Sequence, residues 1–182
     1  VPLCMTGPEY EKGKAFINTG AATSDLTGKD CSPNTVHWLY DTWMLAHGTG
    51  SAVVKAGGNS WFFLTADYAF GHALERDTSD VVKGAGGKVL GAVKVPLNTQ
   101  DFSSFLLQAP SSKAKIIGLA NAGGDTINSI KQASEFGITK GGQKHHARRL
   151  LPHAGQGHPF RARGGHLAAV LLRDGAAGGD DV

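Results

Sequence analysis

The sequence has no run of about 18 apolar residues, so no stretch of it is built to cross a bilayer as a helix. Its two cysteines, Cys4 and Cys31, are too few to define a disulfide framework or a metal site. They fit one bridge made in an oxidising compartment or two separate thiols. There is no initiator Met, and residues 1–13 lack the basic-then-apolar pattern of a secretory signal. The start therefore reads as processed or truncated.

The motifs of catalysis are also missing. A P-loop needs GxxxxGK followed by Ser or Thr; Gly13-Lys14-Ala15 and Gly28-Lys29-Asp30 lack both the upstream spacing and the hydroxyl. Gly48-Thr49-Gly50 lacks the third glycine of a dinucleotide turn and falls inside an expected helix. No GxSxG nucleophile elbow occurs. Before residue 145 the histidines are His37, His47 and His72, and none adjoins a Ser or Cys nucleophile in sequence. The reading is a protein without catalytic residues, metal or cofactor.

What is present in excess is glycine, 26 of 182 residues, against a usual share of about 7%. That fits an α/β fold with many tight turns, although part of the excess lies at the C-terminus. The composition changes after Lys144. From His145 onward there is no Ser, Thr, Asn, Lys, Ile, Glu, Tyr or Trp, while five of the eight His and five of the six Arg fall there. The histidines lack the i, i+4 spacing of a helical zinc site, and no acid is placed to complete one. Residues 145–182 are expected to be disordered or an out-of-frame translation of a GC-rich gene. The first 144 residues carry thirteen basic against twelve acidic side chains, a balance of +1 that argues against a nucleic-acid partner.

Within those 144 residues strand and helix signals alternate. Residues 14–19 (KAFINT) form a short apolar run closed by Gly20, and residues 35–40 (TVHWLY) are β-branched and aromatic. Asp41 is placed to cap a helix reaching Lys55, with Gly57 and Gly58 ending it. Residues 61–65 (WFFLT) are apolar throughout, as expected of a strand covered on both faces. A helix over 71–83 carries Leu74, Thr78, Val81 and Val82 on one face, with Gly84 as its stop.

Residues 88–95 (KVLGAVKV) form a strand stopped by Pro96, and Asp101 caps a short helix carrying Phe102, Phe105 and Leu106. Residues 115–120 (KIIGLA) are the next strand. The helix over 125–136 repeats Ile127, Ile130, Ala133 and Phe136 at every third position, and Gly137 stops it. The order predicts an α/β, Rossmann-like parallel sheet with helices on both faces and right-handed crossovers. Ligands of such sheets bind beyond the carboxyl ends of the strands, here the loops 20–27, 66–71 and 121–125.

These loops are small and polar. Gly20-Ala21-Ala22-Thr23-Ser24 offers backbone N–H groups and two hydroxyls suited to a carboxylate, and equally reads as a glycine turn with a hydroxyl helix cap. Tyr68, after Asp67, is placed either to close over an apolar ligand group or to serve as an ordinary packing residue.

Five segments in order resemble the periplasmic branched-chain amino-acid-binding proteins, also called type I periplasmic binding proteins. They are FINTGAATSDLTG (16–28), SPNTVHWLYDT (32–42), WFFLTADYAFGHALE (61–75), DFSSFLLQA (101–109) and IIGLANAGGDTINSIKQASEFG (116–137). The resemblance implies two Rossmann-like lobes joined by hinge strands and closing on a ligand. It implies that 1–40 is a remnant of the first lobe and hinge, and that 41–144 is the second lobe. The ligand carboxylate would meet Ala21, Ala22, Thr23 and Ser24, and Tyr68 would supply the aromatic residue after the second lobe's first strand. Asn121, Ala122 and Gly123 would face the cleft, without the aromatic residues common there. The implied role is the periplasmic, monomeric solute-binding component of an ABC importer. Its partners would be a branched-chain or related amino acid, or a small carboxylate, and an ABC permease.

The family continues with a strand bearing an acid for the ligand's ammonium; residues 145–182 take its place here. A buried ammonium without that acid is unfavourable, so weakened binding by a truncated copy is expected. The alternatives are a sensory domain of the same fold and a gene fragment without function; an enzyme ranks below both.

Overall fold

The computed structural model describes residues 12–138 and, for backbone alone, 169–172. Among the described residues there are two sheets. Strands β1 (Phe16–Asn18) and β2 (Thr35–His37) pair in parallel, with Asn18 opposite His37. The second sheet has the order β4-β3-β5-β6, built from β3 (Ser60–Ala66), β4 (Lys88–Val95), β5 (Ile116–Ala120) and β6 (Ala169–Leu172). β3 pairs in parallel with β4 and with β5, as the alternating order requires. β6 runs antiparallel to β5. That edge strand was not expected, because the composition of 145–182 reads as disorder; the rest of that stretch lies outside the described residues.

β3 is buried on both faces because its side chains alternate into two cores. Trp61 and Phe63 meet Val53, Phe70, Leu74, Val82 and Ile116 on one side. Phe62 and Leu64 meet Phe102, Leu106, Ile117, Leu119 and Ala133 on the other. Each large apolar side chain so buried contributes about 1.5–3 kcal/mol. Gly118 of β5 lies under the Phe63 ring, and an added Cβ would stand 2.7 Å from two ring carbons.

The helix expected from Asp41 to Lys55 forms with an interruption. α1 (Thr42–Leu45) is capped by Asp41, whose Oδ1 accepts from Met44 N at 2.8 Å. A π turn (Ala46–Gly50) follows, then α2 (Ser51–Lys55). α3 (Ala69–Gly84) begins two residues before the expected start and includes Gly84. The left-handed residue after it is Gly86, at φ 84°, so the stop falls later than expected.

α4 (Ser103–Leu106) follows Asp101, whose Oδ1 accepts from Ser103 N at 2.9 Å, and an unexpected short helix α5 (Gln108–Ser111) comes next. α6 (Gly123–Glu135) starts before Asp125 and buries Asp125, Ser129 and Ala133. Ile127 and Phe136 are exposed, contrary to the expected face. At 3.6 residues per turn an i+3 series drifts around the helix, so those two residues lie on opposite sides, whereas i, i+4, i+8 follows the core.

Among the described residues no helix is long and apolar enough to cross a membrane. Cys31 is exposed, and Cys4 lies outside the described residues.

Candidate functional site

Because β3 and β5 run in the same direction, the segments after them, Asp67-Tyr68 and Asn121-Ala122, emerge at one end of the sheet. Ala22, from the loop after β1, packs into the same apolar cluster as Tyr68, Ala122, Leu39 and Tyr40. The structure thus brings three of the expected loop residues, Ala22, Tyr68 and Ala122, into one apolar cluster.

Residues 20–25 are held from two directions. From β1, Asn18 Oδ1 accepts from Gly20 N at 3.2 Å and Ala21 N at 2.9 Å, while its Nδ2 donates to Ala21 O at 2.5 Å. From β2, His37 Nε2 lies 3.0 Å from Ala21 O, so that nitrogen carries the proton it donates. From α1, Thr42 N donates to Ala22 O at 2.8 Å, and Thr42 Oγ1 accepts from Ser24 N at 3.0 Å.

From α3, Asp77 Oδ2 accepts from Ser24 Oγ at 2.7 Å and from Thr42 Oγ1 at 2.6 Å. Arg76 donates to Ser24 Oγ at 2.9 Å and reaches Asp25 Oδ1 at 2.9 Å. Its Nε and second terminal nitrogen close on Asp77 Oδ1 at 2.9 and 2.8 Å. Burial alone would lower the Arg76 pKa, but hydrogen bonding and charge from Asp77, then Asp25, raise it above its ordinary value. The guanidinium stays charged.

These contacts divide the donors of the loop. Gly20 N, Ala21 N, Ser24 N and Ser24 Oγ already have acceptors, so Ala21 and Ser24 serve the loop's own geometry. Thr23 Oγ1 accepts from Asp25 N at 3.2 Å, capping the 3-10 turn Ser24–Leu26. The N–H groups of Ala22 and Thr23 and the Thr23 hydroxyl proton have no acceptor among the described residues, although Ala22 and Thr23 are only 3% and 2% exposed. Buried N–H groups are nearly always paired, and these two adjacent ones are not paired within the described residues.

Tyr68 precedes α3 as its N-cap residue and is half-buried, with its ring 5.9 Å from that of Phe70. Burial first, then the charge of Asp125 and the neighbouring Tyr40, raise its pKa, so its phenol stays protonated and able to donate. The helix behind it needs Gly71, where a Cβ would meet Ala66 O at 2.1 Å and Ala120 O at 3.0 Å. That close approach seats the start of α3 on the carboxyl ends of β3 and β5.

The third loop is less open than the sequence implied. Asn121 is 2% exposed, and its Oδ1 accepts from Thr126 Oγ1 at 2.8 Å while Nδ2 faces Ser129 Oγ at 3.4 Å. Its amide is engaged by α6. Gly123 is exposed with φ 60°. Asp125 is buried, and its Oδ2 accepts from Asn98 N at 3.2 Å. Asn18, Thr42, Arg76 and Asp77 were not foreseen, and Asp125, although inside the expected loop 121–125, was not singled out. Thr42, Arg76 and Asp77 meet Ser24 from 18, 52 and 53 residues away, with only Thr42, beside the expected cap Asp41, carrying a local signal, whereas Asn18 bonds Gly20 and Ala21 within its own turn. Among the described residues no three His, Cys, Asp or Glu side chains converge on a metal position.

Comparison with known proteins agrees with this architecture. A family model described as periplasmic binding protein matches residues 10–147. A periplasmic binding protein from Burkholderia mallei is 67% identical, with TM-score 0.74, over 76% of this chain and 37% of its own. A branched-chain amino acid ABC transporter periplasmic ligand-binding protein from Burkholderia xenovorans LB400 is 32% identical, with TM-score 0.64, over 75% and 36% of the two chains. A solute binding protein of an ABC transporter from Rhodopseudomonas palustris HaA2, in complex with p-hydroxybenzoic acid, is 28% identical, with TM-score 0.66, over 78% and 38%. These relatives are binding proteins rather than enzymes. The chain spans 32% of the length of the curated Leu/Ile/Val-binding protein homologues it matches. The matched residues exceed half of the sequence, and the chain belongs to the periplasmic binding protein family.

Proposed function

We propose that this chain carries the carboxylate-binding part of a solute site, within the substrate-binding component of an ABC importer. The observation that carries the reading is the pair of open N–H groups on Ala22 and Thr23, beside the Thr23 hydroxyl and in one cluster with Tyr68 and Ala122. A carboxylate has two acceptor oxygens and fits adjacent N–H donors. Charge-assisted bonds of this kind are worth about 1.5–3 kcal/mol each. The apolar remainder of the ligand would lie against Tyr68 and Ala122, with the Tyr68 phenol able to donate. Gly123 leaves the start of α6 unobstructed, while Ala21, Ser24 and Asn121 keep the loops in shape.

The relatives name two ligand classes, branched-chain amino acids and p-hydroxybenzoic acid, which share the carboxylate. The proposed ligand is therefore a small carboxylate with a branched aliphatic or aromatic body. The importer's permease as partner, the periplasm as location and a monomeric state follow from the same family reading.

The test is calorimetric titration with leucine, valine, benzoate and p-hydroxybenzoate, each beside its uncharged amide. Saturable binding of an acid, lost in its amide, supports a carboxylate site. Equal binding of acid and amide, or no saturable binding by any acid, overturns it.

A further inference from the structure

Arg76 and Asp77 sit on α3, which follows a strand of the larger sheet, yet both bond to Ser24 in the loop after β1, and Arg76 also pairs with Asp25 there. The relay they anchor is complete in its donors and acceptors. Ser24 N donates to Thr42 Oγ1, Thr42 Oγ1 donates to Asp77 Oδ2, and Ser24 Oγ donates to that same oxygen while accepting from Arg76. Asp77 Oδ1 is closed by Arg76, which also reaches Asp25. Every hydroxyl in the relay has one direction of donation, so the loop has one orientation that satisfies them all.

We propose that Asp77 is a positioning residue for ligand binding: through Thr42 and Ser24, with Arg76 as its brace, it sets the direction of the Thr23 N–H. This rests on reading the Ala22 and Thr23 N–H groups as the carboxylate site. The Ser24 peptide is held at its N–H by Thr42 and its side chain by Asp77, immediately after Thr23. Asn18 and His37 hold Ala21 O, and with it the planar peptide that carries the Ala22 N–H. Thr42 N donates to Ala22 O, in the same peptide as the Thr23 N–H, so the relay through Thr42 is the part of the scaffold that aims the Thr23 N–H. It also ties the loop following β1 to a helix following β3, so a ligand held by Thr23 and Tyr68 bridges elements already locked together. Dissociation then requires the loop to swing away against Asp77, which places the effect on the off-rate.

The test compares Asp77→Ala and Asp77→Asn with the unchanged chain, by amide hydrogen exchange without ligand and by stopped-flow binding of leucine or p-hydroxybenzoate. Asp77→Ala is expected to speed exchange at residues 22–27 by about tenfold or more, leaving β3 and β5 unchanged. Asp77→Asn keeps an acceptor for Ser24 and Thr42 and is expected to restore most of the protection. With ligand, the off-rate is expected to rise in Asp77→Ala at a nearly constant on-rate. Unchanged exchange at 22–27 overturns the proposal, and so does faster exchange across the whole chain, which marks a role in general stability. Binding kinetics unaffected by a loosened loop also overturn it. If no carboxylate binds the unchanged chain, the solute-site reading fails first, and the local exchange response still reports whether Asp77 orders the loop.

Discussion

Ser24 and Asp77, 53 residues apart in the chain, share a 2.7 Å hydrogen bond that joins the loop after β1 to the third turn of α3. A carboxylate with so little exposure, 10% for its side chain, loses more by losing a partner than it gains from any single bond. The Ser24→Ala, Asp77→Ala double-mutant cycle in urea unfolding should therefore show a coupling energy of about 1–3 kcal/mol. Additivity within about 0.5 kcal/mol would mean that the contact contributes nothing specific.

Thr23 allows its N–H to be removed with little change of backbone, because its φ of −76° lies close to the value fixed by proline. Thr23→Ala removes the hydroxyl cap of the short turn and keeps the N–H. Thr23→Pro removes both. Binding of the carboxylate should fall in both variants, with a further loss of about tenfold in Thr23→Pro, the equivalent of one charge-assisted bond. Matching affinities in the two variants would remove the Thr23 N–H from the site.

The sequence carried much of this fold because its local signals agree with the final packing. The run WFFLT is apolar without alternation and became a strand buried on both faces; KVLGAVKV, bounded by Pro96, matches β4 residue for residue. The face of α6 was misjudged because Ile127 and Phe136 look periodic over a short window, while the buried series is Asp125, Ser129 and Ala133, two of them polar. β6 had no legible signal in a stretch whose composition argued for disorder. For the candidate site, the resemblance pointed to residues 21–24, but not to which donors remain open. That depends on Asn18, Thr42 and Asp77 taking up the others, and pairings across 35 and 53 residues leave no local trace.

Tyr68 makes stability depend on alkaline pH with a definite sign. Its folded pKa is raised above 10.0, by burial first and then by Asp125 and Tyr40. Between the unfolded and folded values the native state holds the proton more tightly, so unfolding releases it. The contribution of Tyr68 is fully present below pH 10 and is lost as pH rises through the folded pKa. Tyr68→Phe should flatten the fall of unfolding free energy above pH 10 while leaving its neutral-pH value within about 1 kcal/mol. Parallel pH curves for the two proteins would show that the phenol is not held in this environment.

Gly71 offers the sharpest test of how α3 is seated. A methyl group there would point at Ala66 O from 2.1 Å and at Ala120 O from 3.0 Å. Both are backbone atoms at the ends of β3 and β5, and neither can rotate away as a side chain would. α3 would have to lift from the sheet, drawing Tyr68 at its start and Asp77 in its third turn with it. Gly71→Ala is therefore expected to cost about 1–3 kcal/mol or more in urea unfolding, although alanine in a helix interior ordinarily gains about 1 kcal/mol over glycine. Gly84, at the far end of the same helix, has nothing within 4 Å of its added Cβ, and Gly84→Ala should be neutral or stabilising. A Gly71→Ala variant as stable as Gly84→Ala would mean that α3 does not sit on the strand ends as described, and the placement of Tyr68 and Asp77 would fall with it.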